Sequence, residues 1–375
     1  MNTKVYFLGG TSPTGFRSKF IEQIKKPGYY TYILKGGPGT GKSTLMKKVA
    51  EAFKDSPMSV YYCSSDIRSL DAVVIEDKGI IVVDGTAPHV FEALYPAVSQ
   101  EIINLGEFWD KDKMKEHKDA VRYCFDENQK YHNRVRCYAE AFASLNTDIY
   151  TLAEDCLNKD KLASYIKRLT KKLIPKAMPD GTGKIEFKQL SAFTTENYMT
   201  HPISGEYSKY FIKDDLFAGG DYFLKSIAEI FINNGYDVTV SECTMLHNST
   251  FEHLIVEQLG LVFITGNFFN GLVPENENII NFSRFYDKEM YDYVFRENNA
   301  LAAIGAAAGL VLGKFMHAFV IRTCEVDMVM FVRSANAMSF VYSFVLTVVF
   351  SLCVNLMMRR KVRAIDMVES LKSAE

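Results

Sequence analysis

Gly36-Gly37-Pro38-Gly39-Thr40-Gly41-Lys42-Ser43 fits G-x-x-x-x-G-K-[ST], the phosphate-binding P-loop. The apolar and aromatic run Tyr30 to Leu34 precedes it and predicts a buried strand. Leu45 to Phe53 follows and predicts a helix, with Leu45, Val49 and Phe53 on one face. In that setting the loop's glycines let backbone N–H groups turn inward around a phosphate. The helix N-terminus adds a favourable dipole. The expected binding residues are Gly36, Gly37, Pro38, Gly39, Thr40, Gly41, Lys42, Ser43 and Thr44. Lys42 would reach the β and γ phosphates, and Ser43 would help hold Mg²⁺.

Moving outward, Val5 to Leu8, Met58 to Cys63 and Gly79 to Val83 read as further core strands. The last ends in Asp84, which matches the Walker B pattern of an apolar strand closed by a carboxylate that orients Mg²⁺. Strands alternating with helices predict an α/β fold with a parallel sheet covered by helices on both faces. Ligands of such sheets bind beyond the carboxyl ends of the strands. Three polar loops, 36–43, 63–68 and 84–89, should meet there. Asp66 is a candidate for positioning the attacking water, against the alternative of a helix cap. Arg68 and His89 read as surface or structural residues at least as well as phosphate contacts, and Cys63 as a buried strand-end residue.

Residues 90–172 turn helical with mixed charge and read as a solvated helical insertion of a domain spanning 1–175. The segment 175–183, rich in Pro, Gly and Asp, reads as a linker. Composition is that of a globular protein, 48% hydrophobic and 23% charged over 375 residues. A net charge of −2 argues against nucleic acid as a partner. The seven cysteines include no C-x-x-C pair and read as reduced thiols.

The second half repeats the first. Tyr210-Phe-Ile-Lys213 aligns with Tyr32-Ile-Leu-Lys35, and without a gap Gly219 falls on Gly41, Lys225 on Lys47, Phe231 on Phe53 and Val238 on Val60. After a short insertion Gly260 matches Gly79 and Gly266 matches Gly85. Where the first copy has Gly36, Gly37, Lys42, Ser43 and Asp84, the second has Asp214, Asp215, Gly220, Asp221 and Thr265. Carboxylates stand where phosphate oxygens would go, so residues 184–290 are expected to be a P-loop-like domain that binds no nucleotide. Binding of a cation by Asp214, Asp215 and Asp221 is the competing reading.

Residues 4–285 resemble a bacterial family of P-loop ATPases built from two tandem nucleotide-binding-like halves. The strings that carry the likeness are Phe16-Arg17-Ser18, Lys35 to Lys47, Cys63-Ser-Ser-Asp66, Ser69-Leu-Asp71, Asp84 to His89 and Ile103 to Asp110. The resemblance implies ATP binding by the first half. Other members often carry a P-loop in the second half as well, and this chain departs from them there.

The composition changes from Ala300. The runs 300–321 and 337–358 are almost wholly apolar and meet the roughly 20-residue length of a membrane span. Gly305, Gly309 and Gly313 follow a small-xxx-small spacing, and Arg359, Arg360, Lys361 and Arg363 follow the second run. These features predict a two-helix hairpin in the lipid bilayer, at the cytoplasmic membrane, with the ATPase domains in the cytoplasm. Residues 295–375 resemble the C-terminal end of FtsX-like ABC transporter permeases through Phe295-Arg-Glu-Asn298, Gly309-Leu-Val-Leu-Gly313, Glu325-Val-Asp327, Ser339-Phe340 and Ile365 to Lys372, with the hairpin domain taken as 296–375. The ABC signature L-S-G-G-Q does not occur.

The expected function is an ATP-binding, Mg²⁺-dependent ATPase, with Lys42, Asp84 and Asp66 as the catalytic set and Ser43 and Asp84 on the metal. One alternative is a permease component serving a separate ABC-type membrane partner. Another is a small-molecule or nucleotide kinase. A GTPase is disfavoured, because Asn158-Lys159-Asp160-Lys161 lacks the final Asp of N-K-x-D.

Overall fold

The computed structural model describes residues 3–293 except 88, 89, 177, 178, 180, 195, 196, 247, 248, 268, 269, 275–277 and 290. The first half runs β1 (Thr3–Phe7), β2 (Gly10–Ser12), β3 (Gly15–Arg17), α1 (Phe20–Ile24), β4 (Tyr30–Lys35), α2 (Lys42–Ala52), β5 (Met58–Tyr62), β6 (Leu70–Ile75), β7 (Ile80–Asp84) and β8 (Gln100–Asn104). Three helices follow: α3 (Lys111–Glu116), α4 (Lys118–Asp155) and α5 (Lys159–Leu173). The second half runs β9 (Ile185–Phe187), β10 (Ser191–Phe193), β11 (Tyr198–Thr200), β12 (Ser208–Lys213), α6 (Ala218–Asn233), β13 (Val238–Glu242), β14 (Phe251–Val256), β15 (Leu261–Gly266) and β16 (Asn278–Asn281). Strand β8 thus falls inside the stretch read as helical, and the helices begin at Lys111.

Among the described residues the main strands form two six-stranded sheets of the same order, β1-β5-β6-β7-β4-β8 and β9-β13-β14-β15-β12-β16. Each sheet is mixed, which corrects the expectation of parallel sheets. In the first, β6 runs antiparallel to β5 and β7, while the other pairings are parallel. The cause is loop length. Strand β6 follows β5 across the loop 63–69 and reaches β7 through a single 3-10 turn at Glu76–Lys78. Connections that short close antiparallel pairs and cannot carry a parallel crossover. Leu70 to Ile75 was not recognised as a strand from sequence.

The expected helix layer on both faces is also corrected. Helix α2 covers one face, where Met46 packs with Leu34, Val73, Ile75 and Val82. The opposite face, with Ile33, Ala72, Val74, Ile81 and Val83, shares one core with Ile255, Val262 and Ile264 of the second sheet. Helix α6 packs on β14 from the far side. The layers therefore run helix, sheet, sheet, helix, within the compact unit Met1–Lys288. Such strands are buried on both sides, which is why they read as continuous apolar runs.

The duplication reaches details. A register shift falls between Tyr61 and Tyr62 and again between Ser241 and Glu242. Gly79 and Gly260 both end a 3-10 turn in the left-handed region, with φ of 61° and 59°. Asn104 and Asn281 both cap a 3-10 turn through their side chains. Pairing also corrects one alignment. Val60 lies opposite Val73 and Val240 opposite Leu254, so Val60 corresponds to Val240, not Val238. The two-residue slip keeps the same face of the strand.

The two-helix membrane hairpin must be withdrawn from the fold. Among the described residues no helix is long and apolar enough to cross a membrane. The runs 300–321 and 337–358 on which that expectation rested lie outside the described residues.

Candidate nucleotide-binding site

Strand β4 delivers the chain to Gly36, and α2 begins at Lys42. Between them the loop takes the conformation its glycines permit. Gly39 has φ of 81° and carries no neighbour where a Cβ would stand, so backbone conformation alone demands glycine there. Gly37 is different. A Cβ would come within 2.4 Å of the Trp109 ring, so close packing demands glycine there.

Lys42 is buried, and its Nζ donates to the carbonyl oxygens of Gly36 at 2.6 Å and Gly37 at 3.0 Å. The same ammonium lies 3.6 Å from Asp84 Oδ2. Asp84 Oδ1 accepts from Thr86 N at 2.8 Å and Thr86 Oγ1 at 2.5 Å, which fixes the carboxylate with Oδ2 turned to the lysine. Ser43 Oγ accepts from Leu70 N at 3.0 Å, tying the first turn of α2 to β6. The structure therefore brings Lys42, Ser43 and Asp84 to one corner of the sheet. Thr40 steadies the loop by donating from Oγ1 to Gly37 O at 2.9 Å. Among the described residues no hydrogen bond ties the side chains of Pro38 and Thr44 to the site. His89 lies outside the described residues.

Ser43 and Asp84 supply hard oxygen atoms of the kind Mg²⁺ takes. Among the described residues no group of three His, Cys, Asp or Glu side chains could hold a metal ion alone. A metal here would complete its shell from phosphate and water, as Mg²⁺ in phosphate sites does.

Asp66 is engaged within its own loop. Its Oδ1 accepts from Arg68 N at 3.1 Å and its Oδ2 from Ser69 Oγ at 2.6 Å. The Ser69 hydrogen bond, then that of Arg68, holds its carboxyl below the usual range. That is the behaviour of the capping alternative. Sequence reasoning missed Asp71, a buried acid at the start of β6. Burial pushes its carboxyl up to about 7, and Asp84 and Lys42 are among the charges that act on it. The signal was available as an acid inside the apolar run Leu70-Asp-Ala-Val-Val-Ile75. Burial likewise pushes the Cys63 thiol up to about 12, which disfavours the thiolate a nucleophile needs.

The corresponding loop of the second half is filled by its own side chains. Asp214, in the place of Gly36, is buried. Its Oδ2 accepts from Gly220 N at 2.7 Å and its Oδ1 from Leu216 N at 3.2 Å. Tyr286 Oη lies 3.0 Å from both carboxylate oxygens and accepts from Gly219 N at 2.7 Å. A carboxylate and a phenol thus satisfy the helix N-terminus that a phosphate satisfies in a P-loop. Burial raises the Asp214 carboxyl to about 6. Its contacts are N–H and O–H donors, which argues against the cation reading.

Asp221 stands where Ser43 stands and keeps the same contact, accepting from Phe251 N at 2.7 Å. Its other oxygen accepts from Tyr150 Oη at 2.7 Å and Lys225 Nζ at 2.8 Å. Phe217, in the place of Gly39, has φ of 65° and is buried beside Ala139, Cys243, Met245 and Leu246. No family model, curated protein or solved structure matches this chain.

Proposed function

We propose that the chain binds ATP on the loop Gly36–Ser43 and hydrolyses it with Mg²⁺, at one site per chain. The observation that carries the reading is the corner formed by Lys42, Ser43 and Asp84 at the end of a glycine loop and the start of α2. The loop's N–H groups and the α2 N-terminus would face the phosphates, and the Lys42 ammonium would balance charge gathering on the transferred group. Ser43 and Asp84 are the residues that would hold Mg²⁺, which neutralises phosphate charge when bound. Two acids compete for positioning the water. Both oxygens of Asp66 are taken by its loop, whereas the pairing of Ala72 with Val83 sets Asp71 beside Asp84 at the same end of the sheet. Asp71 is the stronger candidate on that ground. The resemblance to P-loop ATPases and the lack of N-K-x-D favour ATP over GTP.

The test is release of phosphate from ATP by the full chain, with and without Mg²⁺, for the wild type, Lys42→Ala and Asp84→Asn. Activity confined to the wild type with Mg²⁺ supports the reading. Equal activity in Lys42→Ala overturns it.

A further inference from the structure

A second cleft lies away from the P-loop, at the seam between the two halves. It encloses about 170 Å³ and is lined from one side by β1 and the segment 17–26 and from the other by β9 and β13. Equivalent strands meet there, and Phe7 N donates to Gln189 O at 2.7 Å. Phe20, Tyr61 and Phe187 give it aromatic walls.

Its charges separate into two groups. The lysines are engaged. Lys19 pairs with Glu242 at 3.0 Å and lies over the Phe187 ring at 3.5 Å. Lys26 and Lys188 pair with Glu186 at 3.6 Å and 3.4 Å. Arg17 has no ion pair among the described residues, and its Nη1 is buried with no hydrogen-bond partner. Gln23 is 8% exposed, and its Nε2 is buried with no partner either. Both residues line the cleft. An unpaired buried donor is costly, more so on a charged group. Arg17 is thus the cleft cation without an ion pair among the described residues, and Gln23 is a polar neighbour on the same wall.

We propose that this cleft binds a small molecule through a carboxylate held by Arg17 and Gln23. A guanidinium fork matches the two oxygens of a carboxylate in plane. A phosphate dianion fits less well, because Glu22, Glu186 and Glu242 also line the cleft and the lysines that could offset its second charge are already paired. The aromatic walls would hold an apolar or aromatic remainder of the ligand. A ligand here touches both halves at once, so it would stabilise their docking.

The experiment is isothermal titration of the full chain with benzoate, malonate, acetate and inorganic phosphate. It is run in a Lys42→Ala background so that phosphate binding at the P-loop does not contribute. At least one carboxylate should bind more tightly than phosphate. Arg17→Gln should then lose at least about tenfold in affinity, the value of one charge-assisted hydrogen bond. Gln23→Glu, which replaces a donor with a like charge, should abolish binding, and Arg17→Lys should keep part of it. Circular dichroism and melting curves separate lost binding from lost folding. No binding by any carboxylate overturns the proposal. So does unchanged affinity in a folded Arg17→Gln variant, or a preference for phosphate.

Discussion

Gly36–Ser43 and Asp214–Asp221 are equivalent stretches leading from equivalent strands into equivalent helices, yet they treat the helix N-terminus in opposite ways. The first keeps glycines and places a lysine beside Asp84, and under the proposed function an outside anion would meet its N–H groups. The second supplies the anion itself, as Asp214 on Gly220 N, and seals it with Tyr286. Helix α6 also begins earlier than α2, at Ala218 in the place of Thr40, so part of the old loop has wound into helix. Phe217 is the trace of what was lost. It holds the positive φ that Gly39 holds, though a bulky side chain makes that conformation costly. Burial of its ring offsets the strain. A helix N-terminus must be satisfied by something, and a duplicated site can lose its ligand by growing one.

The same pair of equivalent residues draws the contrast over again beside each loop. Trp109 and Tyr286 both follow the capped 3-10 turn after the last strand of their sheets. Trp109 lies on Gly37, and Tyr286 reaches into the loop and bonds Asp214. Trp109 is also the one tryptophan of the chain. Its emission is therefore a direct reporter of the P-loop.

The largest effect that would break the comparison is at Lys42. Lys42→Ala should lower ATP turnover by about 10²–10³-fold, as loss of a preorganised charge at the transition state does, and should also lower the melting temperature, since Asp84 and two loop carbonyls lose a buried partner. Phosphate-release kinetics and a melting curve read the two parts. In the second loop the balance should reverse. Phe217→Ala should cost about 3–5 kcal/mol of stability by opening a cavity, while the KM for ATP stays at its wild-type value. Urea unfolding and steady-state kinetics on the same sample decide it. Tyr286→Phe should cost about 1–3 kcal/mol, since it leaves Gly219 N and part of the Asp214 carboxylate unmet. If Tyr286→Phe instead creates ATP binding in the second half, the seal is a gate and the account of it is wrong.

A smaller, pH-dependent effect sharpens how the halves hold together. His201 stacks on Phe7 across the seam at 4.1 Å between ring centroids. Burial lowers its pKa from 6.5 to about 4. The unfolded chain then binds a proton between those values that the folded chain refuses. Stability from this residue is full above about 6.5 and is lost as pH falls toward 4. His201→Phe should flatten that part of the pH–stability curve and change little at neutral pH. An unchanged acid slope would place the titrating group elsewhere.

How much of this was legible in the sequence depended on whether a signal was local. The strand, loop and helix around Lys42 were readable because each carries its own pattern, and Asp84 because it closes an apolar run. Strand β6 escapes the sequence pattern because Asp71 interrupts its apolar run, and the antiparallel pairing and the buried acid are hidden with it. The face that packs on the second sheet could not be told from one that packs on a helix, because Ile33, Val74 and Val83 are apolar in either case. The loss of chemistry in the second loop was visible as lysine replaced by glycine. The carboxylate's role as an internal ligand was not, since it depends on Tyr286, far along the chain.

One loop of the pair is proposed to take nucleotide, whereas its copy is closed by its own side chains. Equilibrium titration of full-length protein with ATP and Mg²⁺, followed by calorimetry and by Trp109 emission, tests it most directly. Saturation is expected at one nucleotide per chain, with an emission change that tracks the heat and both signals lost in Lys42→Ala. Two nucleotides per chain, or binding that survives Lys42→Ala unchanged, would contradict it.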